Sequence, residues 1–185
     1  MHLTNNYDAQ RKNGSGVYFY VPKLESWEEA RLVGTLLQML EAAVGIPRGT
    51  IKIKMLNERA EFALQQEVIE WVLRENLIGP NVGRWDYINS VSDSLAWDRT
   101  FVNPNIDAIT MTYGYMRTYE DRVRRAVNTP DRNGRFALWQ GGMEPNIPVG
   151  SDAEQANNKI EGREETSYNE DGLRTVYEIY AITEI

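Results

Sequence analysis

Short strand-like runs alternating with longer helical runs predict an α/β fold, a parallel sheet whose strands are joined by helical crossovers. Three observations carry this prediction. Residues 51–56 read IKIKML, apolar and polar in turn, the period of a strand. A helical run follows from Ala60 to about Asn76. The Gly-punctuated stretch IGPNVGRWDYINS then enters a second strand-like run, completing the grammar of one β-α-β unit.

In chain order, Met1–Gly16 is polar and reads as a loop or flexible arm ahead of one domain over residues 17–185. Val17–Val21 has strong strand character and Pro22 ends it. Ser26 is a good helix N-cap, with Glu28 and Glu29 placed where negative charge favours the helix dipole. Leu32, Leu36, Leu37, Met39, Leu40 and Ala43 give this helix an apolar stripe, and Gly45 and Pro47 close it. Thr50–Leu56 is the second strand. Phe62, Leu64, Val68, Ile69, Val72 and Leu73 form the expected buried face of the second helix, and Gly79-Pro80 the turn after it. Arg84–Ile88 reads as a third strand, residues 90–99 as a short helix, and Ile106–Thr112 as a fourth strand. Gly114–Val127 is helical, with Met116, Tyr119, Val123 and Val127 on one side. Arg135–Trp139 reads as a fifth strand, Gly141–Gly150 as a loop, Asp152–Ser167 as a polar helix and Leu173–Ile182 as a last strand.

Composition excludes several classes of function. A chain of 185 residues with 42% apolar content and ten tyrosines is long enough for one packed domain. A net charge of −7 with no dominant basic patch argues against a general nucleic-acid binder. The absence of cysteine removes disulfides, zinc-thiolate sites and a cysteine nucleophile. His2 is the one histidine, which leaves no Ser-His-Asp triad and no His-ligated metal. No apolar run approaches the ~20 residues of a membrane span, and no signal-peptide pattern opens the chain, so a cytoplasmic protein without membrane contacts is expected.

Glu58 stands just past the second strand and Asp86 within the run read as the third. If those strands are parallel neighbours, both carboxylates reach one rim of the sheet. Such a pair suits a hard divalent cation such as Mg²⁺, which prefers oxygen ligands and keeps positions for water or substrate. The competing reading has Glu58 capping a helix and Asp86 paired with Arg84 or Arg59.

Several segments resemble one family. IPRGTIK, the Glu of LNE and GRWDYI are similar to malate synthase of the glyoxylate-cycle form. VYFYVPKLES resembles that family's PYFYLPKMES, and ITMTYGYMRTY its TMT-x-x-FM-x-x-Y stretch. WQGGMEPNIP resembles its GGMAA-x-IP loop, and KIEGREETSYNEDG its DK-x-RE…G-x-DG segment. These matches run in the family's order from about Val17 to Gly172.

The resemblance implies a (β/α)8 TIM barrel, here in part, since a closed barrel takes ~250 residues. A partial barrel leaves strand edges for a second chain or another copy to cover. The implied reaction is Mg²⁺-dependent condensation of acetyl-CoA with glyoxylate to malate and CoA. Glu58 and Asp86 would be the metal ligands. Backbone amides around Gly83, Arg84 and Trp85 would hold the glyoxylate carboxylate, Lys23 would meet CoA phosphates, and Met143 would approach the rim of the pocket. No position matches the family's enolate-stabilising arginine or its carboxylate base, Glu144-Pro145 replaces small residues, and TVYEIYAI stands where the family has WVAHP. Two outcomes are therefore expected: an acyltransferase portion that is incomplete alone, or a non-catalytic binding or interaction module of the same ancestry.

Overall fold

A computed structural model describes residues 1–110 and 112–141. Helix α1 (His2–Lys12) is followed by β1 (Val17–Val21), α2 (Trp27–Val44), β2 (Ile51–Asn57), α3 (Ala60–Leu73), β3 (Leu77–Val82), α4 (Arg84–Ser94), one 3-10 turn (Ile106–Ala108) and α5 (Gly114–Val127). The three strands form a parallel sheet in the order β1-β2-β3. Val17 pairs with Ile51 and Val21 with Met55, while Met55 pairs with Pro80 and Asn57 with Val82. All three strands therefore end at one rim, which is where α/β folds place their sites.

Local chemistry explains α2. Ser26 Oγ accepts the Glu29 N–H while the Glu29 carboxylate accepts the Ser26 N–H, a full capping box. Gly45 closes the helix in the left-handed region, at φ 76°. One face of β1 and β2 buries Val17, Ile51, Ile53 and Met55 against Leu37 of α2 and Phe62, Ile69 and Leu73 of α3. A second core joins α3, β3, α4 and α5 through Ala63, Val82, Ile88, Val91, Met116 and Val123, with Tyr87 stacked on Tyr119 at 4.0 Å.

The structure corrects several expectations. Residues 2–12 are helical rather than a loose arm, and Leu3 packs into the first core. The third strand is Leu77–Val82, and Arg84–Ile88 is the start of α4. The β propensity of Trp85, Tyr87 and Ile88 gives way because Tyr87, Ile88 and Val91 together bury one helical face. Gly79 and Pro80 lie inside β3 rather than in a turn. A Cβ on Gly79 would sit 2.0 Å from the Leu138 carbonyl oxygen, so glycine is what admits the neighbouring backbone. Residues 106–110 form the 3-10 turn and irregular backbone instead of a fourth strand. Around Arg135–Trp139 the backbone runs beside β3, donating from Leu138 N–H to the Ile78 carbonyl at 2.9 Å, yet it closes only a single bridge, Asn81 to Gln140. On α2 the buried residues are Ala30, Gly34, Leu37 and Glu41, while Leu32, Leu36, Met39 and Leu40 face outward. On α3 Leu64 and Val68 likewise face outward, beside Trp71. The helix and strand expected over 152–182, and Met143, lie outside the described residues.

Candidate metal centre

The carboxyl-terminal ends of β2 and β3 are fastened together. Gly83 N–H donates to the Asn57 carbonyl at 3.0 Å, and the Tyr119 hydroxyl donates to the same oxygen. The Asn57 side-chain amide donates to Gln66 at 2.6 Å. Ser90 Oγ of α4 accepts the Ala60 N–H of α3 at 3.0 Å. Glu58 leaves β2 inside this frame and is 3% exposed. A Cβ on Gly83 would fall 2.7 Å from Glu58 Cβ and 3.0 Å from its Oε2, so a side chain there would push the carboxylate out of place.

Asp86 stands in the first turn of α4, with a half-exposed side chain. The two carboxylates meet at a third residue, Lys23, just past β1. Its Nζ lies 2.7 Å from Asp86 Oδ2 and 3.4 Å from Glu58 Oε2. Its backbone N–H donates to Glu58 Oε1 at 2.9 Å. Lys23 has φ 58°, the one non-glycine residue with positive φ among the described residues. That conformation costs ~1–2 kcal/mol for a residue with a Cβ, and here it lets one residue grip the same carboxylate through backbone and side chain. The Lys23 ammonium holds the Asp86 carboxyl below its usual range, and Asp86, followed by Glu58, raises the Lys23 ammonium.

Neither arginine expected beside Asp86 is its ion-pair partner. Arg59 pairs with Glu25 at 2.8 Å, and Arg84 donates to the Ile109 carbonyl at 2.6 Å while lying 4.6 Å from the Trp85 ring centroid. Glu58 and Asp86, expected on one rim, are brought together there. The hold of Lys23 on both, and the fastening by Asn57, Gln66, Ser90 and Tyr119, were not expected from the sequence. The usable signal for Lys23 was its place directly after a strand-ending proline, which puts a cation on the rim that the two carboxylates share.

Among the residues expected to hold an anion, Gly83 spends its N–H on Asn57. Arg84 and Trp85 occupy the first turn of α4, whose N-cap, Gly83, has no side chain to cover it. A helix start of this kind favours an anion through its amides and dipole. Among the described residues no group of three or more His, Asp or Glu converges. Two carboxylates that jointly hold a positive charge fit a hard cation of the Mg²⁺ kind, which binds through one or two carboxylates and leaves its other positions to water or substrate.

The model of the malate synthase TIM barrel domain matches residues 1–171. The chain belongs to the malate synthase family. It is 36% identical to malate synthase A of Escherichia coli (strain K12) over 160 residues, 86% of this chain and 29% of that protein. It is 42% identical to malate synthase of Streptomyces clavuligerus over 142 residues, 76% of this chain and 25% of that protein. The chain thus spans between a quarter and a third of the length of these relatives. A solved citrate lyase from Burkholderia xenovorans LB400 shares the fold, with a TM-score of 0.57 at 12% identity over 82% of this chain and 42% of that one. The parallel β-α-β-α-β sheet described above is accordingly part of a malate synthase TIM barrel, and Lys23, Glu58 and Asp86 stand on its carboxyl-terminal rim.

Proposed function

We propose that the chain supplies the metal- and glyoxylate-holding rim of a malate synthase-type acyltransferase, in which acetyl-CoA and glyoxylate condense to malate and CoA. One observation carries this reading: a positive charge held between the buried Glu58 and the exposed Asp86 at the carboxyl-terminal end of parallel strands. Glu58 and Asp86 would hold Mg²⁺, which when bound supplies Lewis-acid polarisation of an aldehyde carbonyl. The α4 amides of Arg84 and Trp85 would take the glyoxylate carboxylate, and Trp85 would flank it. Lys23 would contact CoA phosphates only after its ammonium leaves the two carboxylates.

We assign no proton-transfer role to a described residue. General acid–base help is worth ~10²–10⁴ in rate, so this rim alone would be a slow catalyst. The remaining groups would come from further barrel strands placed against β1. Tyr18 and Tyr20 of β1 support that placement, since they are 62% and 52% exposed on the face that the helices leave open. The same open face supports the second reading, a binding or interaction module without chemistry. Cytoplasmic placement belongs to the proposal as well. Among the described residues no helix is long and apolar enough to cross a membrane, and the relatives from cotton and cucumber are named glyoxysomal.

Calorimetry with glyoxylate tests the reading. Binding in the presence of Mg²⁺ and none in its absence is expected, and equal binding in both conditions would sink it. Thiol release from acetyl-CoA, slow yet above the uncatalysed rate and dependent on glyoxylate, then separates the acyltransferase portion from the non-catalytic module.

A further inference from the structure

We propose that Lys23 is a built-in competitor for the metal: its ammonium sits in the cation position between Glu58 and Asp86, and a divalent ion binds by displacing it. The inference rests on the assignment of these carboxylates to a metal, and it adds a residue that sets metal affinity.

The geometry carries it. Both oxygens that would face an ion, Glu58 Oε2 and Asp86 Oδ2, already face Nζ, at 3.4 and 2.7 Å. Mg²⁺ needs oxygens at ~2.0–2.1 Å, and like charges at such range repel, so the ion and the ammonium exclude each other. Charge balance gives the direction of exchange. One ammonium neutralises one of two carboxylates, whereas a divalent ion neutralises both. The backbone is built to hold the lysine there when the ion is absent. The left-handed turn at φ 58° fixes the Lys23 N–H on Glu58 Oε1 at 2.9 Å, so the residue stays anchored to Glu58 whichever cation its side chain leaves in place. The side chain itself is 54% exposed, with open solvent to swing into. Glu58 would thus be kept in position and compensated before the metal arrives, at the cost of some affinity.

The test is a pair of measurements on the full chain. The first is calorimetric Mg²⁺ titration of the native chain and of Lys23→Met, which keeps the backbone N–H and a stem of similar length. The variant is expected to bind Mg²⁺ about 2- to 5-fold more tightly, the size that loss of a partly exposed ion pair converts to. Equal or weaker binding by a folded Lys23→Met overturns competition while leaving the metal site standing. No Mg²⁺ binding by either protein overturns both readings. The second measurement needs no variant. Acetylation of Lys23 by an activated ester, followed by mass spectrometry against the other lysines, is expected to speed up severalfold when Mg²⁺ is added. An unchanged Lys23 rate at saturating Mg²⁺ would show that the ammonium is not displaced.

Discussion

Two buried glutamates bracket strand β2, and they are held in different ways. Glu41 of α2, 1% exposed, lies at the amino-terminal end. Its Oε1 accepts Ile51 N–H at 2.8 Å and the Asn76 amide at 3.0 Å, and its Oε2 accepts Gly49 N–H at 2.9 Å. Glu58, 3% exposed, lies at the carboxyl-terminal end. It has one fixed backbone donor, from Lys23, and its other oxygen faces an ammonium on a long stem. The first carboxylate is locked by donors that cannot leave, and it acts as a staple between α2, β2 and the start of β3. The second keeps an oxygen toward a partner that can leave, which is what a ligand position requires. Burial alone does not separate these two carboxylates; the kind of donor that compensates each one does.

Glu41→Ala should break the staple with the largest effect. It strands buried donors at Gly49, Ile51 and Asn76, and a loss of ~3 kcal/mol or more is expected in urea denaturation. Gly83→Ala comes next. Its methyl would meet Glu58 Cβ at 2.7 Å, so ~1–3 kcal/mol should be lost, together with Mg²⁺ affinity measured on the folded fraction. Glu70 sharpens the contrast as a carboxylate with neither staple nor cation. Burial pushes its pKa up to about 7, although Gln66 donates to it at 2.7 Å. The folded state then binds the proton more tightly than the unfolded state, so stability falls as pH rises from about 4.5 to about 7. Glu70→Gln should flatten that slope and add ~1–2 kcal/mol at neutral pH, read from denaturation midpoints across the range. Asp86→Asn should change stability least, within ~0.5 kcal/mol, because the side chain is half exposed.

Local periodicity and cap chemistry made much of the fold legible. Ser26 and Glu29 announced α2, the IKIKML alternation announced β2, and Met116, Tyr119, Val123 and Val127 announced the buried face of α5. Tertiary context decided the rest. On α2, bulky residues marked the wrong face. The helix turns Ala30 and Gly34 inward, and a Cβ on Gly34 would lie 3.5 Å from Leu73 Cδ2, ordinary van der Waals contact. In β3, Gly79-Pro80 reads as a turn in isolation, yet Gly79 is what lets the backbone of residue 138 approach. Of the site, the shared rim of the two carboxylates was legible from the β-α-β unit, although Asp86, expected within a strand, reaches that rim from the first turn of α4. The place of Lys23 on that rim was legible from Pro22, but its double hold on Glu58 was not, because that depends on a left-handed backbone that no sequence period reports.

The central claim is that Glu58 and Asp86 jointly hold a hard divalent cation while Glu41 holds the fold. Calorimetric Mg²⁺ titration of the native chain beside Asp86→Asn tests it most directly, because that variant should remain folded. The account predicts saturable one-to-one Mg²⁺ binding by the native chain and affinity lowered at least about tenfold in Asp86→Asn. Equal Mg²⁺ affinity in the two folded proteins, or no binding by the native chain, would contradict it.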